Sequence, residues 1–251
     1  MARTWLVGCA LAASIAMLPG IARADMPTKG SLFVGADRMT GIYAVSYKHV
    51  EPVGPQDAPV TVTDSGTMFN LLWNNSTTSS GVVNLQAIPR LSVDYAITDI
   101  VTLGGSVGYF SASGTRSVPA EPQADLPTAS GFAFAPRVGF FFGISDLFGV
   151  WPRVGVTYGS YKVEDNSIHN ARGILSTWTD RDSWSNFSVD AEVQFLLAPL
   201  PHFGFTFGPL LSLPLSGSHS HEHIEPGVDQ STTFDAKLQN IGFTVGLVGW
   251  F

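Results

Sequence analysis

Three histidines alternate with other residues near the C-terminal end of the chain, at His219, His221 and His223. Alternate residues of an extended segment point to the same side, so the three imidazoles can meet at one metal ion. Glu222 or Glu225 could complete its shell, and neutral imidazole suits zinc, copper or nickel. The alternative is a solvated Ser-Gly-rich loop whose histidines bind nothing. The pattern thus predicts a surface Zn, Ni or Cu site and no other cofactor.

A second set of chemically active residues is charged and falls within apolar alternation. Three arginines each follow a proline, and several carboxylates also occupy inward-facing positions of the alternation. The set is Arg90, Asp94, Arg137, Arg153, Asp190 and Glu192, with Asp37 as a further candidate. Buried charges are costly unless they pair. We therefore expect a salt-bridge network in which Arg137 pairs with Asp190 or Glu192. A proton or ion path is the alternative function for the same residues.

The elements that carry these residues are β-strands, because large apolar side chains recur with a period of two. Eight strands are predicted, at about Ser31–Tyr47, Asn84–Ile97, Val101–Ser111, Gly131–Ile144, Val150–Tyr161, Trp184–Leu197, Phe203–Ser216 and Phe234–Phe251. Short turns are expected near Thr98, Phe148 and Pro201. Long connections are expected at His49–Val82, Gly114–Ser130, Asp165–Asp182 and Gly217–Thr232, with loop tips near Thr77, Gln123, Asn170 and Asp229.

Two local features complicate this pattern. Asp37 and Arg38 are consecutive, so both can point inward only if a bulge lies near Met39 to Gly41. Prolines also fall inside the predicted strands, at Pro89, Pro136, Pro152, Pro209 and Pro214. Since proline lacks a backbone N–H, some of them should mark bulges or unbonded positions.

The N-terminal 24 residues have the pattern of a secretory signal peptide. Arg3 precedes an apolar run, and Ala22-Arg23-Ala24 forms a small-x-small cleavage site. The predicted mature domain, residues 25–251, then contains no cysteine, which excludes disulfides and thiolate sites. It keeps 11 basic and 20 acidic residues, a net charge of −9. Such a balance argues against a nucleic-acid partner.

The last strand combines Thr244, Gly246 and a terminal Phe251. This ending resembles the assembly signal of bacterial outer-membrane β-barrels, although Gly249 stands where that family has an apolar or aromatic residue. With its topology and charged interior, the predicted mature chain resembles the small eight-stranded superfamily that includes the outer-membrane protein A transmembrane domain and the X-type and W-type proteins.

The resemblance implies an all-β, eight-stranded, antiparallel, up-and-down transmembrane barrel with short periplasmic turns and long extracellular loops. It implies export to the bacterial outer membrane, contact with outer-membrane lipid and lipopolysaccharide, and insertion by the barrel-assembly machinery through the last strand. Eight strands leave an interior that side chains fill. A structural or adhesin-like surface role is therefore expected, with a narrow small-molecule channel as the alternative.

A lipid A-modifying enzyme is a further alternative, because barrels of similar size include deacylases. That activity needs a Ser-His-acid set. The deacylase spacing of His followed two residues later by Ser is absent here, since His219 and His221 are followed at that distance by His221 and His223. We therefore expect a protein that is not an enzyme.

Overall fold

The computed structural model describes residues 26–51, 60–71, 84–116, 124–171 and 174–251. The predicted signal peptide lies outside these residues. Apart from one 3₁₀ turn at Leu85–Ala87, the regular structure described is strand. The strands are β1 Leu32–Glu51, β2 Val60–Leu71, β3 Arg90–Ala96, β4 Val101–Arg116, β5 Ala124–Phe140, β6 Phe142–Gly143, β7 Phe148–Ala171, β8 Ile174–Leu200, β9 Phe203–Glu225 and β10 Val228–Trp250. No helix in the described ranges is long and apolar enough to cross a membrane.

The strands close into an antiparallel ring. Neighbours in the ring are β1, β3, β4, β5, β7, β8, β9 and β10, and β10 returns to pair with β1 from Phe33↔Trp250 to His49↔Ala236. Pairing of the first strand with the last closes the ring. The predicted eight-stranded antiparallel barrel is therefore confirmed.

One end of the barrel carries the three short turns and both ends of the described chain. The turns join β3 to β4, β6 to β7 and β8 to β9, at the three predicted places. Leu32 and Phe251 exchange two backbone hydrogen bonds of 2.9 and 3.0 Å at the same end. In outer-membrane barrels this is the periplasmic end.

At the opposite end, strand structure extends into all four predicted long connections, and two of them, Asp165–Asp182 and Gly217–Thr232, are wrong over most of their length. The pairing of β7 with β8 continues to Ala171↔Ile174, and that of β9 with β10 to Glu225↔Val228. Polar side chains suggested loops there, but a strand in water needs only cross-strand partners and backbone hydrogen bonds, not an apolar face. The expected loop tips at Thr77 and Gln123 lie outside the described residues.

The second barrel strand differs from its prediction. The upper half of β1 pairs with β2, Thr40↔Leu71 to Glu51↔Val60, whereas its lower half pairs with β3, Leu32↔Tyr95 to Asp37↔Arg90. The predicted strand start at Asn84 is wrong, because residues 85–87 form the buried 3₁₀ turn. Pro89 lacks an N–H for the ladder, and strand structure begins directly after it.

A bulge in β1 places two consecutive charged residues in the interior. Ala36 pairs with Leu247 and Thr40 with Val245, so the three residues between them oppose Gly246 alone. Arg38 has a φ of 59°, and both it and Asp37 are buried. The bulge covers residues 37–39, close to where the sequence required one. Pro214 marks a second register shift, between β8 and β9, as expected for some of the strand prolines.

Candidate functional site

Eight charged side chains lie buried in the middle of the barrel and form what we call the charge layer. Its members are Asp37, Arg38, Arg90, Asp94, Arg137, Arg153, Asp190 and Glu192. The four guanidinium groups and four carboxylates balance formally. Strands β1, β3, β5, β7 and β8 each supply at least one member, because their inward residues reach the same depth. The six charged residues singled out by the sequence all belong to this layer.

Arg137 holds one side of the charge layer. Its Nε donates to Asp94 Oδ1 at 2.9 Å, and its two terminal nitrogens donate to Asp94 Oδ2 and to Asp37. Gly104 of β4 lies between Asp94 and Arg137 in the sheet, and a Cβ there would stand 2.5 Å from Asp94 Oδ1. The absent side chain lets Arg137 reach across β4. These are not the predicted partners, Asp190 and Glu192.

The other side of the charge layer is organised by Glu192. Arg38 and Arg153 each donate to one of its carboxylate oxygens. Arg38 also contacts Asp190 at 3.4 Å, and Arg153 contacts Asp37 at 3.4 Å. Arg38 is thus the partner that the sequence did not assign. The bulge required by consecutive Asp37 and Arg38 was the available signal for it.

Arg90 is bound by polar groups of the 3₁₀ turn. Its guanidinium donates to Leu85 O at 3.2 Å, Gln86 Oε1 at 3.0 Å and Thr157 Oγ1 at 3.3 Å. Gln86 itself donates to Ser212 Oγ at 2.8 Å. The inward-turning segment therefore plugs the barrel and ties β3 to β7 and β9. Nothing in the alternation of residues 84–87 distinguished this plug from a strand.

Apolar clusters close the barrel on both sides of the charge layer. On the periplasmic side lies the cluster of Phe33, Ala96, Phe141, Trp151, Leu196, Ala198, Val248 and Trp250. On the other side two clusters contain Tyr43, Val45, Tyr47, Met68, Ala87, Leu210, Ala236 and Leu238, and Leu85, Ile88, Phe110 and Tyr161. Within the charge layer remains a cavity of about 20 Å³, the space of one water molecule. Side chains thus fill the interior at the charge layer, apart from this space.

The outer face of the barrel is apolar. Each ring strand exposes at least one large apolar side chain, with Ile42, Leu91, Leu103, Phe134, Val154, Val193, Leu213 and Ile241 as examples. Leu91 is 70% exposed while neighbouring Arg90 is 1% exposed. A closed barrel that is charged inside and apolar outside matches a bilayer, where only backbones with internally satisfied hydrogen bonds can cross. The chain is a closed eight-stranded β-barrel with the surface pattern of a membrane-spanning barrel.

No family model and no curated protein matches the sequence. Solved structures similar to this barrel include outer membrane protein OprG from Pseudomonas aeruginosa, at 12% identity, a TM-score of 0.49 and coverage of 89% of this chain and 97% of that one. Ail, the attachment invasion locus protein of Yersinia pestis, matches at 12% identity, a TM-score of 0.36 and coverage of 89% and 99%. The outer membrane protease OmpT from Escherichia coli matches at 6% identity, a TM-score of 0.36 and coverage of 92% and 100%.

Two residues of the proposed assembly signal, Thr244 and Gly246, lie on β10 between β1 and β9, and Phe251 directly follows that strand. Thr244 is buried and accepts a hydrogen bond of 3.1 Å from Gln194. Gly246 faces the β1 bulge, where a Cβ would come within 2.6 Å of Ala36 O. Phe251 is 77% exposed at the periplasmic end. Recognition of this strand by the assembly machinery stays a prediction.

The three histidines lie on β9 rather than in a loop. The register shift at Pro214 turns them toward the barrel axis above the membrane, where they face inward residues of β8. His219 Nε2 and His221 Nδ1 lie 2.9 and 3.0 Å from Asp182 Oδ1, and His223 Nδ1 lies 2.5 Å from Asp180 Oδ1. No group of three or more His, Cys, Asp or Glu in the described ranges could hold a metal ion. The metal site stays a prediction, and the arrangement suits hydrogen-bonded His–Asp pairs.

Aromatic contacts separate the environments of these histidines. His219 stacks on Trp184 at 4.3 Å between ring centroids and packs edge-on against Phe234 at 4.6 Å. Burial lowers the pKa of His219, and the nearby His221 and His49 lower it further. The hydrogen bond to Asp182 raises it, but by less. The hydrogen bond to Asp180 raises the pKa of His223, with help from Glu225.

We expect the pKa of His223 to lie above the ordinary value of 6.5 and the pKa of His219 to lie below it. His223 should stay protonated above that pH, so its stabilising contribution is complete below 6.5 and is lost as pH rises through its pKa. His219 should stay neutral below 6.5, so its contribution is complete above that pH and is lost as pH falls through its pKa. Imidazole NMR of the folded barrel would measure both. Asp180→Asn should return His223 toward the ordinary value and leave His219 unchanged; a reversed order would contradict the assignment.

Proposed function

We propose that this protein is a surface-interaction barrel, which binds a partner with the extracellular ends of its hairpins and does not pass solutes along its axis. The observation that carries the proposal is the filled interior. At the charge layer, side chains leave a space of about 20 Å³ in the described cross-section, which speaks against the narrow channel. Activity must then lie at an end of the barrel, and the extracellular end has the larger ordered structure.

The extracellular hairpins form a paired platform. Beyond the apolar rungs of β7 and β8, their pairing continues from Tyr161↔Trp184 to Ala171↔Ile174. The ladder from β7 to β9 is fastened by Arg181, which contacts Glu164 at 3.3 Å and Glu222 at 2.9 Å. Such strands hold the platform in a fixed geometry, which lowers the entropy lost on binding.

The platform is acidic. Among its described side chains the acidic residues are Asp64, Glu164, Asp165, Asp180, Asp182, Glu222, Glu225, Asp229 and Asp235, whereas the basic residues are Lys48, Lys162, Arg181 and Lys237. Complementary charge steers association and selects partners. Half-buried Trp178 on the inner surface of the platform is suited to contact a cation of the partner over its ring. We infer a partner with a basic surface.

Binding of a fluorescent oligolysine peptide to the barrel in lipid nanodiscs tests this partner class. Replacing Asp180, Asp182, Asp229 and Asp235 with asparagine should weaken binding roughly tenfold, because it removes attractive charge at unchanged shape. Raising the salt from about 0.05 M to about 0.5 M should weaken binding to the parent through screening. The matched control, Lys48→Gln with Lys237→Gln, removes charge of the opposite sign and should not weaken it. Equal binding by the parent and the asparagine variant would refute the proposal.

The closed interior is tested separately in planar bilayers. The reconstituted barrel should show no steady conductance above the bare membrane, since the space within the charge layer admits one water molecule. Steady single-channel steps would contradict the filled interior even if peptide binding behaved as expected.

A further inference from the structure

Several fully buried polar atoms in the barrel have no hydrogen-bond partner within the protein. In the described part of the chain they include Tyr43 Oη, Asn70 Oδ1, Asn84 Nδ2, Arg90 Nε, Arg153 Nε, Trp184 Nε1 and both side-chain amide atoms of Asn240. Tyr43 and Asn240 are 0% exposed. An unpaired buried polar group costs free energy, so such groups are almost always bonded to protein or to ordered water.

These atoms are confined to one half of the interior. Arg90 and Arg153 belong to the charge layer, and the others lie on its extracellular side. Tyr43 and Asn240 belong to strands paired through Tyr43↔Gly242 and Val45↔Asn240. Asn70 pairs with Gly41, two residues below Tyr43 on β1. Trp184 lies higher, beside His219. The unpartnered atoms thus extend from the charge layer to the extracellular end.

Two small cavities lie along the same half. One, of about 20 Å³, is bounded by charge-layer residues including Arg38, Arg153 and Glu192. The other, also about 20 Å³, is bounded by Tyr47, Trp184, Ser185 and Ser218 among others. Each has room for one water molecule and polar neighbours to bind it. An apolar occupant would leave these polar groups unsatisfied.

The periplasmic half has the opposite character. Trp151 Nε1 donates to Thr102 Oγ1 at 3.0 Å, and Gln194 Nε2 donates to Thr244 Oγ1 at 3.1 Å. Below them the interior is the apolar cluster around Phe33, Phe141 and Trp250. None of the unpartnered atoms named above belongs to this half.

We propose that the extracellular half of the interior binds a file of ordered water molecules, which joins the charge layer to the outside medium, and that the periplasmic half is dry. The file ends at the aromatic cluster. Exchangeable protons of Arg90, Arg153 and the Asn240 amide therefore exchange with water from the cell exterior, while the Trp151 indole is isolated from both sides. The barrel interior is thus hydrated from the extracellular end down to the charge layer and closed to water below it.

Radiolytic hydroxyl labelling of the folded barrel with mass spectrometry tests the file, because radicals formed from bound water oxidise the side chains that contact it. After correction for intrinsic reactivity, Tyr43 should be oxidised at a rate comparable to half-buried Trp178 of the extracellular platform, although Tyr43 is fully buried. Trp151 and Trp250 should be protected at least tenfold. Tyr43 as protected as Trp151 would show a dry interior, and Trp151 as reactive as Tyr43 would show water throughout; either result overturns the proposal.

A variant locates the water. Asn240→Leu removes two of the groups that bind the water and should reduce Tyr43 oxidation several-fold, while oxidation of Trp178 on the platform stays unchanged. Folding of the variant is checked by its heat-modifiable mobility in gels. Unchanged Tyr43 labelling in the folded variant would contradict the role of Asn240. If the variant fails to fold, the comparison of Tyr43 with Trp151 in the parent still decides the proposal.

Discussion

Arg137→Ala is expected to lower the free energy of unfolding by about 3 to 5 kcal/mol, the usual cost of removing one partner from a buried ion pair. The change leaves Asp94 without the arginine that binds both of its oxygens, and it takes one of two arginines from Asp37. Urea unfolding in lipid vesicles, followed by tryptophan fluorescence, measures the loss.

The partner change separates lost pairing from lost volume. Adding Asp94→Asn to Arg137→Ala should recover part of the stability, because the stranded carboxylate is then neutral. Asp190→Asn should recover less, since Arg137 does not contact Asp190 in the structure. A suitable control is Arg181→Ala on the solvated platform, for which about 1 kcal/mol or less is expected. An Arg137→Ala barrel as stable as the parent would exclude a paired charge layer.

Trp151→Ala is expected to cost about 3 to 5 kcal/mol, as large-to-small changes at buried tryptophans do. The indole is 1% exposed and packs on Phe33 at 4.7 Å between ring centroids. It also lies 5.0 Å below the Arg153 guanidinium carbon and donates to Thr102. Removing it opens a cavity directly beneath the charge layer.

Trp151→Phe keeps an aromatic ring and loses the indole hydrogen bond. Trp151→Phe should therefore lower the free energy of unfolding by less than Trp151→Ala does, because the phenyl ring keeps part of the packing. Trp178→Ala, at the extracellular platform, serves as a control for tryptophan loss outside the membrane. The same urea titration compares the three variants. If Trp151→Ala matched Trp178→Ala, the periplasmic cluster would contribute little to stability.

The period of two in apolar residues predicted most of the ring strands, because in a membrane barrel this alternation runs along the whole membrane-spanning part of each strand. Each strand needs apolar residues toward lipid and polar or small residues toward the interior, so sequences such as Phe132 to Phe142 admit one phase only. The charged members of the interior could be found for the same reason. Arg90, Arg137 and Arg153 alternate with lipid-facing residues, and no charged side chain would be placed in lipid.

The parts that were missed lack this constraint. Residues 84–87 are surrounded by the interior, so their apolar and polar side chains do not divide into a lipid-facing and an inward-facing set. The sequence pattern therefore did not distinguish the 3₁₀ turn from a strand. The described extensions of the β7–β8 and β9–β10 hairpins lie beyond the apolar part of the barrel, so they need no apolar side. The pairs within the charge layer were missed because barrel shear and the β1 bulge, not sequence spacing, decide which inward residues meet.

The β1 bulge has a consequence for assembly. It directs Arg38 at Asp190 and Glu192, which are 152 and 154 positions away along the chain, so these contacts can form only after the seam between β1 and β10 has closed. A half-built sheet would hold the same charges unneutralised beside lipid. Barrel closure and charge neutralisation are thus a single event, and partly closed species should be too high in free energy to accumulate. Folding into the membrane should accordingly be all-or-none, because docking of the last strand brings Arg38 of β1 to its carboxylate partners.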